Sequence, residues 1–137
     1  MNPVLRNVLA VIAGAFIGSF VNMGIIMLSG SVVPLPEGVD PASAESIKAN
    51  IHLFESKHFI MPFLAHAIGT LVGAFIAAKI SGTHQMRVAL IVGVLFLIGG
   101  ILNVIALSAP MWFNITDLVL AYIPMAWLGG KLAIGKQ

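Results

Sequence analysis

The chain has 137 residues, 59% of them hydrophobic and 9% charged, where a soluble domain carries roughly 25% charged residues. So little charge does not cover a water-exposed surface, which excludes a soluble globular domain and makes lipid the expected solvent. A net charge of +2 and the absence of cysteine leave no case for nucleic acid, a disulfide, a thiolate metal site or a cysteine nucleophile.

The first apolar stretch runs from Val8 to Leu28, about the ~20 residues that cross a ~30 Å hydrocarbon core as a helix. Small residues Ser29-Gly30-Ser31 follow it, as they would follow a signal peptide. The run is longer than the ~7–15 residues of a signal h-region, so a retained helix is expected. Ala10, Gly14, Gly18 and Asn22 recur along it at steps of four.

A segment over residues 29–58 separates the first and second spans. Val33-Pro34-Leu35-Pro36-Glu37-Gly38 reads as irregular, because two prolines and a glycine interrupt regular structure. Asp40-Pro41 reads as an N-cap followed by proline at the first helical position. Beyond it Ala44, Ile47, Ile51, Phe54 and His58 form one stripe of a short amphipathic helix. His52, Glu55 and His58 stand three apart, whereas chelating histidines on a helix favour a four-residue step, so a solvated face is expected and no metal site.

The remaining spans are expected over 59–80, 88–107 and 113–132. The second is expected to bend near Pro62 and carries Gly69, Gly73 and Ala77 in step, with His66 and Thr70 on the same side. The third has Gly93, Phe96, Gly100 and Asn103 at three-and-four spacing, and the fourth aligns Asp117 with Ala121, Pro124 and Leu128. Pro124 frees a backbone carbonyl one turn earlier, near Leu120, and predicts a bend there. Rows of small residues let helices approach closely in lipid, so Gly14, Gly18, Gly69, Gly73, Gly93 and Gly100 are the expected packing positions. Contact within one bundle explains them, and a homo-oligomer is the alternative use of surplus rows. Asn114-Ile115-Thr116 matches a glycosylation sequon but reads better as a helix start at the membrane surface.

Together these segments predict an all-α integral membrane protein in one domain, residues 1–137, with four transmembrane helices and a short external amphipathic helix before the second. Arg6, Lys79, Arg87, Lys131 and Lys136 fall on one side and only Lys48 and Lys57 on the other. That bias places both termini in the cytoplasm, with a bacterial inner membrane the expected compartment. Trp112 and Trp127 occupy opposite ends of the last span, as interfacial aromatic residues do.

Four polar residues inside the spans are the candidate site. At ~1.5 Å per residue from the outer helix ends, Asn22 lies roughly 9 Å deep, His66 roughly 10 Å, Asn103 roughly 8 Å and Asp117 roughly 6 Å. Each comes from a different helix, and all fall in one slab of the outer leaflet. Ionisable groups at such depth are costly and commonly functional. The competing reading is interhelical hydrogen bonding by His66 and the two asparagines, with Asp117 capping its helix.

Gly18–Asn22 and Gly69–Gly73 resemble stretches of small fluoride channels, but the threonine- and phenylalanine-rich signature of a later helix is missing. Small multidrug exporters carry an acid in the first helix, where this chain has none. No family is recognised, and no phosphate loop, nucleophile elbow or other cofactor signature is present. The first functional expectation is a small protein that transports or binds a small solute or ion at the outer polar site. A non-catalytic membrane subunit docking through the external helix is the second, and an intramembrane enzyme acting on lipid the third.

Overall fold

A computed structural model describes residues 1–135; Lys136, counted above among the basic residues, lies outside the described residues. Four helical stretches are long and apolar enough to cross a membrane: Pro3–Val32, Ser56–Ile80, Gln85–Leu107 and Met111–Ile134. Among the described residues there is no strand. The helices are α1 (Pro3–Val32), α2 (Ala44–Asn50), α3 (Ile60–Ile80), α4 (Gln85–Leu107), α5 (Met111–Leu120) and α6 (Ile123–Ile134).

α1 is longer at both ends than its apolar run. Asn2 caps it, its Oδ1 accepting from the Val4 amide at 2.8 Å, with Pro3 in the first turn where no amide donor is needed. At the other end Pro34 and Pro36 withhold the donors that another turn would use.

The segment between α1 and α3 departs from the single amphipathic helix expected. Asp40 does not start it. Its carboxylate accepts from the Ala42 amide at 2.9 Å in a local turn, and Ser43 is the cap of α2, accepting from the Ser46 amide at 3.2 Å. α2 stops after Asn50, and short 3-10 turns follow at Ile51–Leu53 and Ser56–Phe59, separated by extended Phe54 and Glu55. The second turn feeds directly into α3. Pro62 therefore stands in the first turn of α3, where its missing N–H breaks no bond.

α3 is the central helix, packed on α1, α4 and α6, with α5 touching it near the loop end. The buried residues between them are mostly alanine: Ala10, Ala74, Ala77, Ala89, Ala126 and Ala133. Glycine brings the backbones closer still. A Cβ at Gly18 would stand 2.6 Å from the Gly69 carbonyl oxygen, and one at Gly73 2.7 Å from that of Gly14. Gly93 meets Ala126, and Gly100 meets the Tyr122 ring. All six expected packing glycines are thus used inside the chain, and Gly24, Gly30 and Gly99 are the helical glycines that face open space.

The end carrying the N-terminus is fastened by polar contacts. Arg6 Nε donates to the Ile80 carbonyl at 2.6 Å. Asn7 accepts from the Gly82 amide at 2.9 Å and donates to Thr83 Oγ1 at 3.0 Å. At the opposite end Phe59 packs at a tilt on Phe113, centroids 4.7 Å apart, with Trp112 edge-on to it at 5.6 Å. Between α5 and α6 the helix is broken at Ala121–Tyr122, where the bend was expected. Pro124 explains it, because its nitrogen cannot return a hydrogen bond to the Leu120 carbonyl.

Candidate functional site

His66 stands two turns into α3, in the half nearer the 33–59 segment. Its Nδ1 lies 2.8 Å from Asp117 Oδ1 on α5, with side-chain exposures of only 15% and 5%. The second carboxylate oxygen accepts from the Tyr122 hydroxyl at 3.0 Å. The tyrosine ring lies nearly parallel to the imidazole, 25° between planes and 5.8 Å between centroids. One turn along α3 the fully buried Thr70 hydroxyl donates to the His66 carbonyl at 2.7 Å. The carboxylate is therefore gripped by a phenol and an imidazole, while Thr70 bonds the backbone that carries the imidazole.

Asp117 does not cap α5. It lies in the last turn, and its side chain turns inward to partners on another helix and beyond the break. An ionised carboxylate only accepts, so it takes Tyr122 O–H on one oxygen and His66 Nδ1–H on the other. A neutral histidine beside an ionised carboxylate donates in this contact as the Nδ1–H tautomer. Among the described residues its Nε2 has no hydrogen-bond partner. This is the arrangement in which a carboxylate orients a histidine so that the far nitrogen meets a ligand or a proton.

Tyr122 was not among the residues singled out in the sequence. Residues five apart on a regular helix lie about 140° around from one another. Only the break between α5 and α6 brings the phenol back over Asp117, and Gly100 makes room for it, since a Cβ there would stand 2.6 Å from the tyrosine hydroxyl. The available signal was that this is the single tyrosine of the chain, set beside a span-interrupting proline.

Asn22, His66, Asn103 and Asp117 all line one cavity of about 300 Å³. Helices α1, α3, α4 and α5 form its walls, and the 33–59 segment roofs it. The apolar stripe Ala44, Ile47, Ile51, Phe54 and His58 lines this roof although no single helix carries it. A second hollow of about 360 Å³ lies between α1 and α4 and shares Asn22, His66, Gly100 and Asn103 with the first. Asn22 Oδ1 is enclosed without a hydrogen-bond partner, and Asn103 is exposed.

His58 departs from the solvated face expected of it. It is buried, accepts from the Glu55 amide on Nδ1 at 2.8 Å, and bonds the Pro34 carbonyl through Nε2 at 3.1 Å. Only the Nε2–H tautomer serves both, so this histidine ties the two ends of the roof together. His52 and Glu55 are exposed and do not gather with it. Among the described residues no three histidine, cysteine or acidic side chains converge in a metal-holding cluster.

No family model matches the chain, and neither curated proteins nor solved structures give a match. The class that fold and site define is an all-helical bundle with four helices of membrane-crossing length and a roofed, largely apolar cavity that holds Asn22, His66, Asn103 and Asp117 near one end.

Proposed function

We propose that the chain crosses the bilayer four times, with both termini cytoplasmic, and binds and carries a small solute or ion at the cavity in its outer half. The exterior supports the membrane placement. Phe16, Phe20, Leu102 and Ile105 are each more than 60% exposed, a belt too apolar for water. Among the described residues the four-to-two division of Lys and Arg between the two ends supports the orientation.

The observation that carries the functional reading is the hydrogen-bonded series His66–Asp117–Tyr122 opening onto a cavity shared with two asparagines. Helix glue alone leaves no reason for an enclosed Asn22 oxygen without a partner, since a buried polar group left unpaired is costly. In this reading His66 Nε2 meets the solute or a proton, Asp117 orients the ring and balances its charge, and Asn22 and Asn103 supply hydrogen bonds. Beyond the cavity the Gly14–Gly73 and Gly93–Ala126 contacts close the bundle. Carriage then requires α1 to shift against α3 or α6 against α4, and the site alternates between the two sides.

Docking of an assembly partner through the amphipathic stripe is disfavoured because the stripe lines the cavity roof. The test is flux of protons and monovalent cations into proteoliposomes loaded with a pH-sensitive dye, with and without a driving gradient. Asp117→Asn and His66→Ala are expected to lower flux at least roughly a hundredfold, the scale of a lost proton-transfer group, while size-exclusion profiles stay unchanged. Wild-type flux in both variants removes these residues from the mechanism.

A further inference from the structure

The two hollows meet at His66, yet their surroundings differ. The first lies under the roof; the second opens sideways between α1 and α4, past Ser19, Leu95 and Gly99. A Cβ added at Gly99 would meet nothing within 4 Å, so this mouth is open. Leu95, in its lining, is 44% exposed. On the four-span reading, on which this inference rests, that apolar rim faces acyl chains and not water.

Polar groups with no hydrogen-bond partner among the described residues collect at the mouth. Ser19 and Asn103 are exposed, and Asn22 Oδ1 is enclosed and unpaired. His66 Nε2, with no partner among the described residues, lies behind them. Hydrocarbon offers none of these a hydrogen bond, so a sideways gap into lipid is an unfavourable place for them unless a molecule with its own polar head fills it. The chemistry of that head follows from the lining. Among the described residues no Lys or Arg borders either hollow, and Asp117 is the single acid. A phosphate or carboxylate would enter without a counter-charge. Two carboxamides and an imidazole nitrogen instead offer both donors and acceptors to a neutral group. The walls beyond them are apolar, with Ile26, Ile47, Ile51 and Phe54 placed to cover a tail or ring. A hollow of about 300 Å³ is at the small end of ligand pockets, about 300–1,000 Å³, which suits one chain or ring and not a two-chain phospholipid.

We propose that this site takes a single-chain or single-ring amphiphile with an uncharged hydrogen-bonding head, admitted from the bilayer through the gap between α1 and α4. The head reaches Asn22, Asn103 and His66, while the tail lies under the roof or trails through the gap.

The test uses the full chain in phosphatidylcholine nanodiscs with two photoreactive probes, hexadecanol and palmitate, each carrying a diazirine in its tail. Adducts are mapped by mass spectrometry. The alcohol is expected to label residues 19–26 and 95–104 roughly tenfold more than the carboxylate, which must shed its hydration with no cation to receive it. Gly99→Phe sets a ring at the mouth on a Cβ that meets nothing within 4 Å and is expected to reduce alcohol adducts there roughly tenfold, the scale of a blocked hydrogen-bonded ligand. Equal labelling by both probes, or labelling indifferent to Gly99→Phe, overturns the proposal. Flux lost in Asp117→Asn with no alcohol adducts in the wild type overturns it too, and leaves the solute-site reading standing. Selective adducts alongside flux indifferent to Asp117→Asn uphold it and remove the transport role.

Discussion

Asp117 accepts from two side chains, and the donors differ in what their loss would do. Tyr122→Phe removes one hydrogen bond to an acid and leaves Oδ2 enclosed and unpaired. Bonds to charged groups are worth about 1.5–3 kcal/mol, so denaturation in detergent is expected to show a loss on that scale, with flux reduced but not abolished. A stability equal to wild type would mean that the phenol donates elsewhere. His66 and Asp117 were legible in the sequence because ionisable residues stand out against apolar spans, and Asn22 and Asn103 because they continue rows of small residues. Tyr122 was not, since a tyrosine near a span end also fits an interfacial anchor and its distance along the chain from Asp117 is wrong for a regular helix. His58 was misread for a similar reason: helical spacing gave it a solvated face, while its two backbone partners come from the irregular chain around it.

Among the elements, the α1–α3 seam is set by glycine and by reciprocal backbone contacts. Gly73→Val places new carbon against the Gly14 carbonyl and is expected to cost about 1–3 kcal/mol as overpacking, whereas Gly24→Val faces open space and is expected to leave the unfolding midpoint unchanged. Equal losses in both would dissolve the distinction between seam and exterior. The roof makes a separate prediction. His58→Ala removes both ties, so amide hydrogen exchange over residues 51–59 is expected to speed up while α1 and α3 keep their protection. Unchanged exchange would show that the contact between the Phe54 and Phe59 rings suffices without the histidine. The stripe that forms this roof was correctly read as one surface but wrongly read as one helix. Steps of three and four satisfy a helix, and here they also satisfy a short helix with 3-10 turns folded across a common cavity. Pro124 was the opposite case, a local signal strong enough to locate the break by itself.

At the scale of the whole molecule, four apolar stretches of membrane length were plain in the sequence because length and composition decide that question without knowledge of neighbours. The gap between α1 and α4 was not legible, since it depends on which helices pack together, and small-residue rows do not name their partners. Topology is testable in this cysteine-free chain. A membrane-impermeant maleimide on intact cells is expected to label a Glu37→Cys variant and to reach Thr83→Cys only after permeabilisation; the reverse order would invert the proposed orientation. Central to everything functional is the contact between imidazole and carboxylate, which can be observed directly. With Asp40 and Asp117 the only aspartates and Tyr122 the only tyrosine, solid-state NMR on chain labelled with 15N-histidine and 13C-aspartate in bilayers is nearly free of overlap. One through-space correlation between a histidine Nδ1 and an aspartate Cγ is expected, disappearing in Asp117→Asn. A folded, bilayer-embedded chain with no such correlation would contradict the account.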